Sequence, residues 1–403
     1  MSTQPWKTEH WSVSPHNFDE AIHVEPHRVE LHDITIRDGE ECADLAYSVD
    51  DKVRIAEALA RVGIKRTELF LTVPGWLEAV RAILERDLPL DLYVDYNPGR
   101  VEKAIDLGAR HIMVWYLIGE HQQTHYLGKS RAELEQQAAD QIQAAVAAGC
   151  HANLFMPECS RTPLEHIRSA VEMARDMGAG AVTMVDSYGV MRPPAVSYVV
   201  DKMKTWSGLD VDVHCHNDFG LSTANVLAAY DAGAVGLNVC VNGVGYRAGN
   251  APLDEVAAAL EILYGVDTGV DLTLLPDLSR LVANITGIEC GYFKPIVGDG
   301  AFSVERWGGT AKLAAAGERP LGFAFEPEVV GRRPRVVVGK WSDLGAVEKK
   351  LTDLGLTATP EQMQTILTRC QQAGIAHHRP LKEDEILTIA LAGGAVDDET
   401  TVG

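Results

Sequence analysis

Two histidines separated by a single residue, in "VDVHCHND", are the sharpest chemical signal in this chain. On a β-strand, residues i and i+2 point to the same side, so His214 and His216 can aim both imidazoles at one point. Imidazole is the commonest side-chain ligand for divalent transition metals. An HxH pair also occurs where two histidines satisfy buried hydrogen bonds, so a carboxylate must join it before a metal is implied. Such a group stands in "LHDITIRDGEE", where a hydrophobic run ends in Arg37, Asp38, Glu40 and Glu41. If Asp38 reaches the histidines, two nitrogens, a carboxylate and an amide oxygen suit a five- or six-coordinate divalent ion. Zn²⁺, Mn²⁺, Co²⁺ and Mg²⁺ are all compatible with that donor set.

These residues need a scaffold that brings distant segments together. Short apolar runs recur as "RVELHDIT", "RTELFL", "DLYVDY", "HIMVWYLI", "CHANLFMP", "AVTMVDS", "VDVHCH" and "GLNVCV". Their length and bounding turn residues fit strands buried on both faces. Helix-like stretches such as "DDKVRIAEALARVG" and "PLEHIRSAVEMARDMG" separate them. Gly63, Gly108, Gly149, Gly178 and Gly233 close several of these stretches, as helix C-caps do. Eight strand–helix alternations over about 240 residues match a closed parallel (β/α)8 TIM barrel. An open doubly wound sheet is the other arrangement of such units, but no GxGxxG follows the first strand.

The expected organisation is an N-terminal arm over 1–27, a catalytic barrel over 28–275 and a smaller, mainly helical accessory region over 276–403. "TLLPDLSRLVANITG" and two or three segments within 343–392 read as helices, and "RRPRVVVGK" as a short strand. Barrel chemistry sits at the C-terminal strand ends. Those ends carry Arg37 and Asp38, Glu68 slightly deeper, Asn97, Glu158, Asp186 with Ser187, the two histidines, and Asn250 after "NGVGYRAG".

Totals narrow the partners. The formal net charge of −21 repels phosphate backbones and anionic lipid, which disfavours nucleic acid and membrane surfaces. Seven cysteines without a CxxC pair fit free thiols in a reducing cytoplasm. Cys159, Cys215 and Cys240 read as barrel filling. No N-terminal signal pattern and no run of about 18 apolar residues is present, so a cytoplasmic protein is expected.

"RDGEE" after the first strand, "HCHND" at the seventh and "GVGYRAGN" after the eighth resemble the DRE-TIM metallolyase family. Within it the chain is most similar to the isopropylmalate, homocitrate and citramalate synthases, over about residues 28–345. The resemblance implies one divalent metal ion per chain, a 2-oxo acid and an acyl-CoA as small-molecule partners, and a homodimer. An acyl-CoA enolate adds to the oxo acid carbonyl, and thioester hydrolysis drives the reaction. Carried over by motif, Asp38, His214 and His216 are metal ligands, with Asn250 as a fourth. Arg37 serves the oxygen that gains charge, and Glu158 handles a proton or orients Arg37. A merely structural Arg37 would pair with Glu40 or Glu158. At a barrel rim, its replacement is expected to cost only about 1 kcal/mol. Glu41, Glu68, Asn97, Ser187 and Tyr246 complete the substrate-binding set, Ser187 retaining the hydroxyl of the family's usual threonine.

Several positions depart from the family pattern. Glu41 replaces the usual glutamine and Tyr246 the usual glutamate. Leu154 stands where homocitrate synthases place an arginine, which argues against homocitrate synthesis. Val304 and Gly309 occupy the usual histidine positions, leaving the group that activates the acyl donor unassigned, and "GKWSD" replaces Gly-Lys-His-Ser-Gly. Two alternatives stay open beside the synthase: a lyase or aldolase cleaving through the same metal-stabilised enolate, and a metal-binding barrel without turnover that regulates a partner.

Overall fold

The computed structural model describes residues 6–70, 74–96, 101–317 and 322–398. Eight parallel strands form a closed barrel in the order β1 to β8. They are β1 (Glu30–Asp33), β2 (Arg66–Leu69), β3 (Asp91–Tyr96), β4 (His111–Trp115), β5 (His151–Met156), β6 (Ala181–Asp186), β7 (Asp210–Cys215) and β8 (Gly236–Val239). Closure comes from β1 lying beside β8, with Leu31 opposite Leu237 and Asp33 opposite Val239.

Helices α1 (Val49–Val62), α2 (Trp76–Leu84), α3 (Val101–Asp106), α4 (Arg131–Ala147), α5 (Leu164–Asp176), α6 (Pro193–Ser207), α7 (Ser222–Asp231) and α8 (Leu253–Leu263) alternate with the strands. This is the TIM barrel expected from the rhythm of the chain. Helix α1 shows how local sequence sets an element. Ser48 and Asp51 form a reciprocal capping box, and Val53, Ile55, Leu59 and Val62 form the buried stripe. Gly63 ends it at φ 101°, where an added Cβ would lie 2.2 Å from the Gly269 carbonyl.

The strands are more polar inside than a typical barrel filled with Val, Ile and Leu. Low in the barrel, Asn153 and Arg66 donate to Asp212 at 2.9 and 3.3 Å, and Thr183 donates to Asn153 at 2.8 Å. Gly236 leaves room for this carboxylate, since a Cβ there would lie 2.0 Å from it.

Two compact units divide the chain: Ala21–Cys290, which holds the barrel and α9 (Leu275–Thr286), and Met1–Glu20 with Gly291–Gly403. In the second unit, β9 (Ser303–Val304) pairs with β10 (Arg335–Val336), and β11 (Leu356–Thr357) with β12 (Val396–Asp397). Its helices are α10 (Gly308–Ala315), α11 (Leu344–Asp353), α12 (Pro360–His377) and α13 (Glu383–Ala392). They enclose a separate core built on Val338, Val347, Leu351, Ile366, Leu367 and Ile386. Among the described residues, no helix is long and apolar enough to cross a membrane.

Candidate functional site

Strands β1, β7 and β8 end beside one another around the barrel, so their C-terminal residues meet. Asp38, His214 and His216 are all buried, and one donor atom from each lies within 4.8 Å of the others. Nε2 of His214 and of His216 stand 3.6 and 3.9 Å from Asp38 Oδ2, and 3.3 Å from each other. Nδ1 of His214 pairs with Asn238 Oδ1 on β8 at 3.1 Å, which fixes the ring and leaves Nε2 facing the cluster. Burial, reinforced by His216, pushes His214 down to about 3, and burial also lowers His216. Both rings are therefore neutral at pH 7, as metal ligands must be.

The loop after β8 brings in Asn250. Residues His216 and Asn250 form an isolated antiparallel bridge, and Asn250 Nδ2 donates to Asp38 Oδ1 at 2.6 Å. The Tyr246 amide donates to the same oxygen at 3.0 Å. Gly245 permits this crowding, because a Cβ there would stand 2.2 Å from Asn250 Nδ2. The amide oxygen Oδ1 of Asn250 is buried with no hydrogen-bond partner among the described residues. An orphaned acceptor beside a carboxylate and two neutral imidazoles is a donor set that fits a divalent cation.

Arg37 lies alongside and is only 2% exposed. Its Nε and Nη2 face the Glu68 carboxylate, while Nη1 donates to Asp38 Oδ2 at 2.9 Å and Glu41 Oε1 at 3.3 Å. The rings of Phe70, Trp115 and Phe155 stand 5.1, 5.6 and 5.4 Å from its Cζ. Arg37 is thus a buried charge held by three carboxylates and three aromatic rings, and the small stability cost expected of a rim residue does not apply. Neither structural partner proposed from the sequence is used. Glu40 accepts from Lys52 at 3.0 Å and from the Tyr47 amide at 2.8 Å, and Glu158 pairs with Arg161 at 2.8 Å.

The carboxylates around Arg37 diverge. Burial alone would raise Glu68, but Arg37 and His32 hold it down at about 2. Asp38 is also held well below the usual carboxylate range, Arg37 and the two histidines outweighing burial. Glu41 goes the other way, pushed up to about 7 by burial against the pull of Arg37.

Glu158 has φ 72°, a left-handed conformation rare for a side-chain-bearing residue and common at functional sites. Its amide donates to Ser187 Oγ at 2.9 Å, which joins the ends of β5 and β6, and its Oε1 is buried without a partner among the described residues. Tyr246 is half exposed, its ring 4.6 Å from the Arg247 guanidinium. Arg247 in turn donates to the Ser187 carbonyl at 2.7 Å and clamps Asp218. Asp186 is drawn into its own loop, accepting the Val190 and Met191 amides. Asn97 lies outside the described residues. Leu154 sits on the opposite side of β5 from Phe155, so the argument against homocitrate drawn from it lacks a side chain facing the interior. The thiols of Cys159, Cys215 and Cys240 are buried and raised by that burial, Cys159 to about 12.

Sequence reasoning missed Asn238, His32 and the aromatic wall of Phe70, Trp115 and Phe155. Strand alternation was the available signal. It places Asn238 and His32 on the interior face, in register with one another across β8 and β1.

Residues 28–282 match the HMGL-like family model. The chain belongs to the HMGL-like family. Homocitrate synthase AksA of Methanopyrus kandleri is 34% identical over 354 residues, covering 87% of this chain and 88% of the relative. The 2-isopropylmalate synthase of Sulfolobus acidocaldarius is 32% identical over 375 residues, covering 90% and 95%. Among solved structures, the HMG-CoA lyase of Bacillus subtilis superposes with a TM-score of 0.60 at 20% identity, covering 65% of this chain and 95% of the lyase. That likeness is one of fold. The HMGL-like barrel here is therefore related in sequence to proteins named as synthases, and its Asp-His-His cluster sits at the C-terminal ends of the strands.

Proposed function

We propose that this HMGL-like chain is an acyltransferase that condenses an acyl-CoA with a 2-oxo acid, giving a 2-hydroxy dicarboxylate, with one divalent ion held by Asp38, His214, His216 and Asn250. The observation that carries this reading is the meeting of two neutral Nε2 atoms, a carboxylate and an orphaned amide oxygen beside Arg37. Relatives named as synthases along nearly the whole chain support the direction of condensation.

When bound, the ion supplies Lewis-acid polarisation of a carbonyl. Arg37 is the preorganised donor for the oxygen that gains charge. Its anchors on Glu68, Asp38 and the aromatic wall hold the guanidinium before substrate arrives, so little reorganisation is needed at the moment of reaction. Glu158 has a free Oε1 to hold a proton, while Arg161 keeps its other oxygen in place. Ser187 accepts the Glu158 amide and retains its own hydroxyl proton to donate to a substrate carboxylate. Glu41 and Tyr246 border the same space, and Asn97 completes the substrate-binding set. Val304 and Gly309 offer no proton-transfer group for the acyl donor.

The test measures thiol release from acetyl-CoA against a panel of 2-oxo acids, with and without chelator. Release with one oxo acid, lost on chelation and restored by metal, is the expected result. His214→Ala and His216→Ala should each abolish binding of about one ion per chain. No release from any pair, or unchanged metal content in both variants, overturns the proposal.

A further inference from the structure

Below Arg37 the barrel interior holds an ionisable residue with no role so far. His32, on β1, is 2% exposed, and its Nε2 lies 3.1 Å from Glu68 Oε2. The two stand within ion-pair distance, and neither of these atoms, nor His32 Nδ1, has a hydrogen-bond partner among the described residues. The other oxygen of Glu68 is taken by Arg37. Tyr93 packs against the imidazole at 4.8 Å between ring centroids, holding the ring toward Glu68. Glu68 itself is fully buried.

We infer that His32 is a positioning residue for the active site: it donates to Glu68 Oε2, and the carboxylate so fixed holds the Arg37 fork in its working orientation. An imidazole facing an orphaned carboxylate oxygen at this distance has a specific task. The arrangement is a line of contacts, His32 to Glu68 to Arg37 to Asp38, ending at the candidate metal cluster. Supporting residues of this kind fix the geometry of the groups that touch substrate. The effect on rate rests on the condensation reading; the effect on Arg37 does not.

The experiment therefore reads both. His32→Leu removes the donor, and His32→Gln places an amide Nε2 where the imidazole nitrogen was. Protein labelled with 5-fluorotryptophan reports on Arg37 through Trp115, whose ring centroid is 5.6 Å from the guanidinium carbon; Trp115→Phe assigns the resonance. In His32→Leu the Trp115 fluorine resonance should move, and kcat should fall about 10- to 100-fold with KM for acyl-CoA within about twofold. His32→Gln should restore the resonance and most of kcat. Should His32→Leu not fold, His32→Asn, too short to reach Glu68, takes its place. An unmoved resonance in the donor-free variant overturns the inference, as does a folded His32→Gln that behaves like it. If the wild-type protein releases no thiol, the condensation reading fails, and the fluorine resonance alone decides the role of His32.

Discussion

At the scale of single residues, Arg37 is the group on which the proposed condensation would make both rate and stability depend. Removing one preorganised donor to a developing oxyanion costs about 10²- to 10³-fold in rate. Arg37→Lys keeps the charge but cannot reproduce a fork that meets Glu68 with two nitrogens, so it should recover little turnover. Stability should separate the variants. Arg37→Ala leaves Glu68 and Asp38 buried without their cation, a change that typically costs about 3–5 kcal/mol, whereas lysine retains part of the pairing. Turnover, metal content and melting temperature of the three proteins check this; normal turnover in both variants would remove Arg37 from catalysis. Glu41 makes a second prediction. Its carboxyl is pushed up to about 7 in the folded chain, against about 4.3 for a free glutamate. Between those values the folded state keeps a proton that the unfolded chain has released. Stability therefore falls as pH rises through that window, and stays lower above it. Glu41→Gln removes this titration, so in chelated protein its urea midpoint should gain on wild type from pH 5 to pH 8. Asp33, likewise raised by burial, and His214 and His216, lowered by burial and so opposite in sign, titrate in both proteins, so the difference between the two midpoint curves reports Glu41. Parallel midpoint curves would show that Glu41 ionises normally. The histidine pair and Asp38 were legible in the sequence because their types and spacing are uncommon. His32 and Asn238 were not, because a polar residue in a buried strand carries no mark of what it faces.

The strands and loops explain why some positions were easy to read and others were not. Apolar runs ending in turn residues, and helices ending in glycine, recur often enough to specify a barrel. The inward phase of each strand is harder, since a slip of one residue exchanges interior and exterior faces. That is why Leu154 drew attention while Phe155 is the residue beside Arg37 and His214. The loop after β8 gives the prediction at this scale. Gly243 and Gly249 bend it through positive φ, and Gly245 lets it press Asn250 against Asp38. In Gly245→Ala the new Cβ would fall 2.2 Å from Asn250 Nδ2 and 2.8 Å from Asp38 Oδ1, so the amide must move. Metal affinity should drop about 10- to 100-fold, as when a supporting group is lost, with the barrel still folded. Cobalt titration of the chelated protein, alongside circular dichroism, measures both. Wild-type affinity in the alanine variant would mean that Asn250 contributes nothing to the cation site.

The whole molecule carries a net charge of −21, yet its C-terminal unit displays large rings to solvent. Phe293 is 90% exposed and Tyr292 51%, and their rings meet edge to face at 5.1 Å. Isolated exposed apolar side chains are ordinary, but adjoining aromatic rings are enriched where proteins associate. Burying one phenylalanine is worth about 1.5–3 kcal/mol, enough for such a pair to anchor an interface. We expect a homodimer at micromolar concentration, with the Tyr292–Phe293 pair inside the contact. Like-charged subunits repel, so raising ionic strength should favour the dimer by screening that repulsion. Phe293→Asp adds a further charge and removes the ring, and should shift the population to monomer without lowering the helical content. Sedimentation velocity at two salt concentrations, on wild type and variant, makes the comparison. A wild-type monomer at every concentration, or a variant that dimerises as wild type does, would leave these rings without the role argued for them.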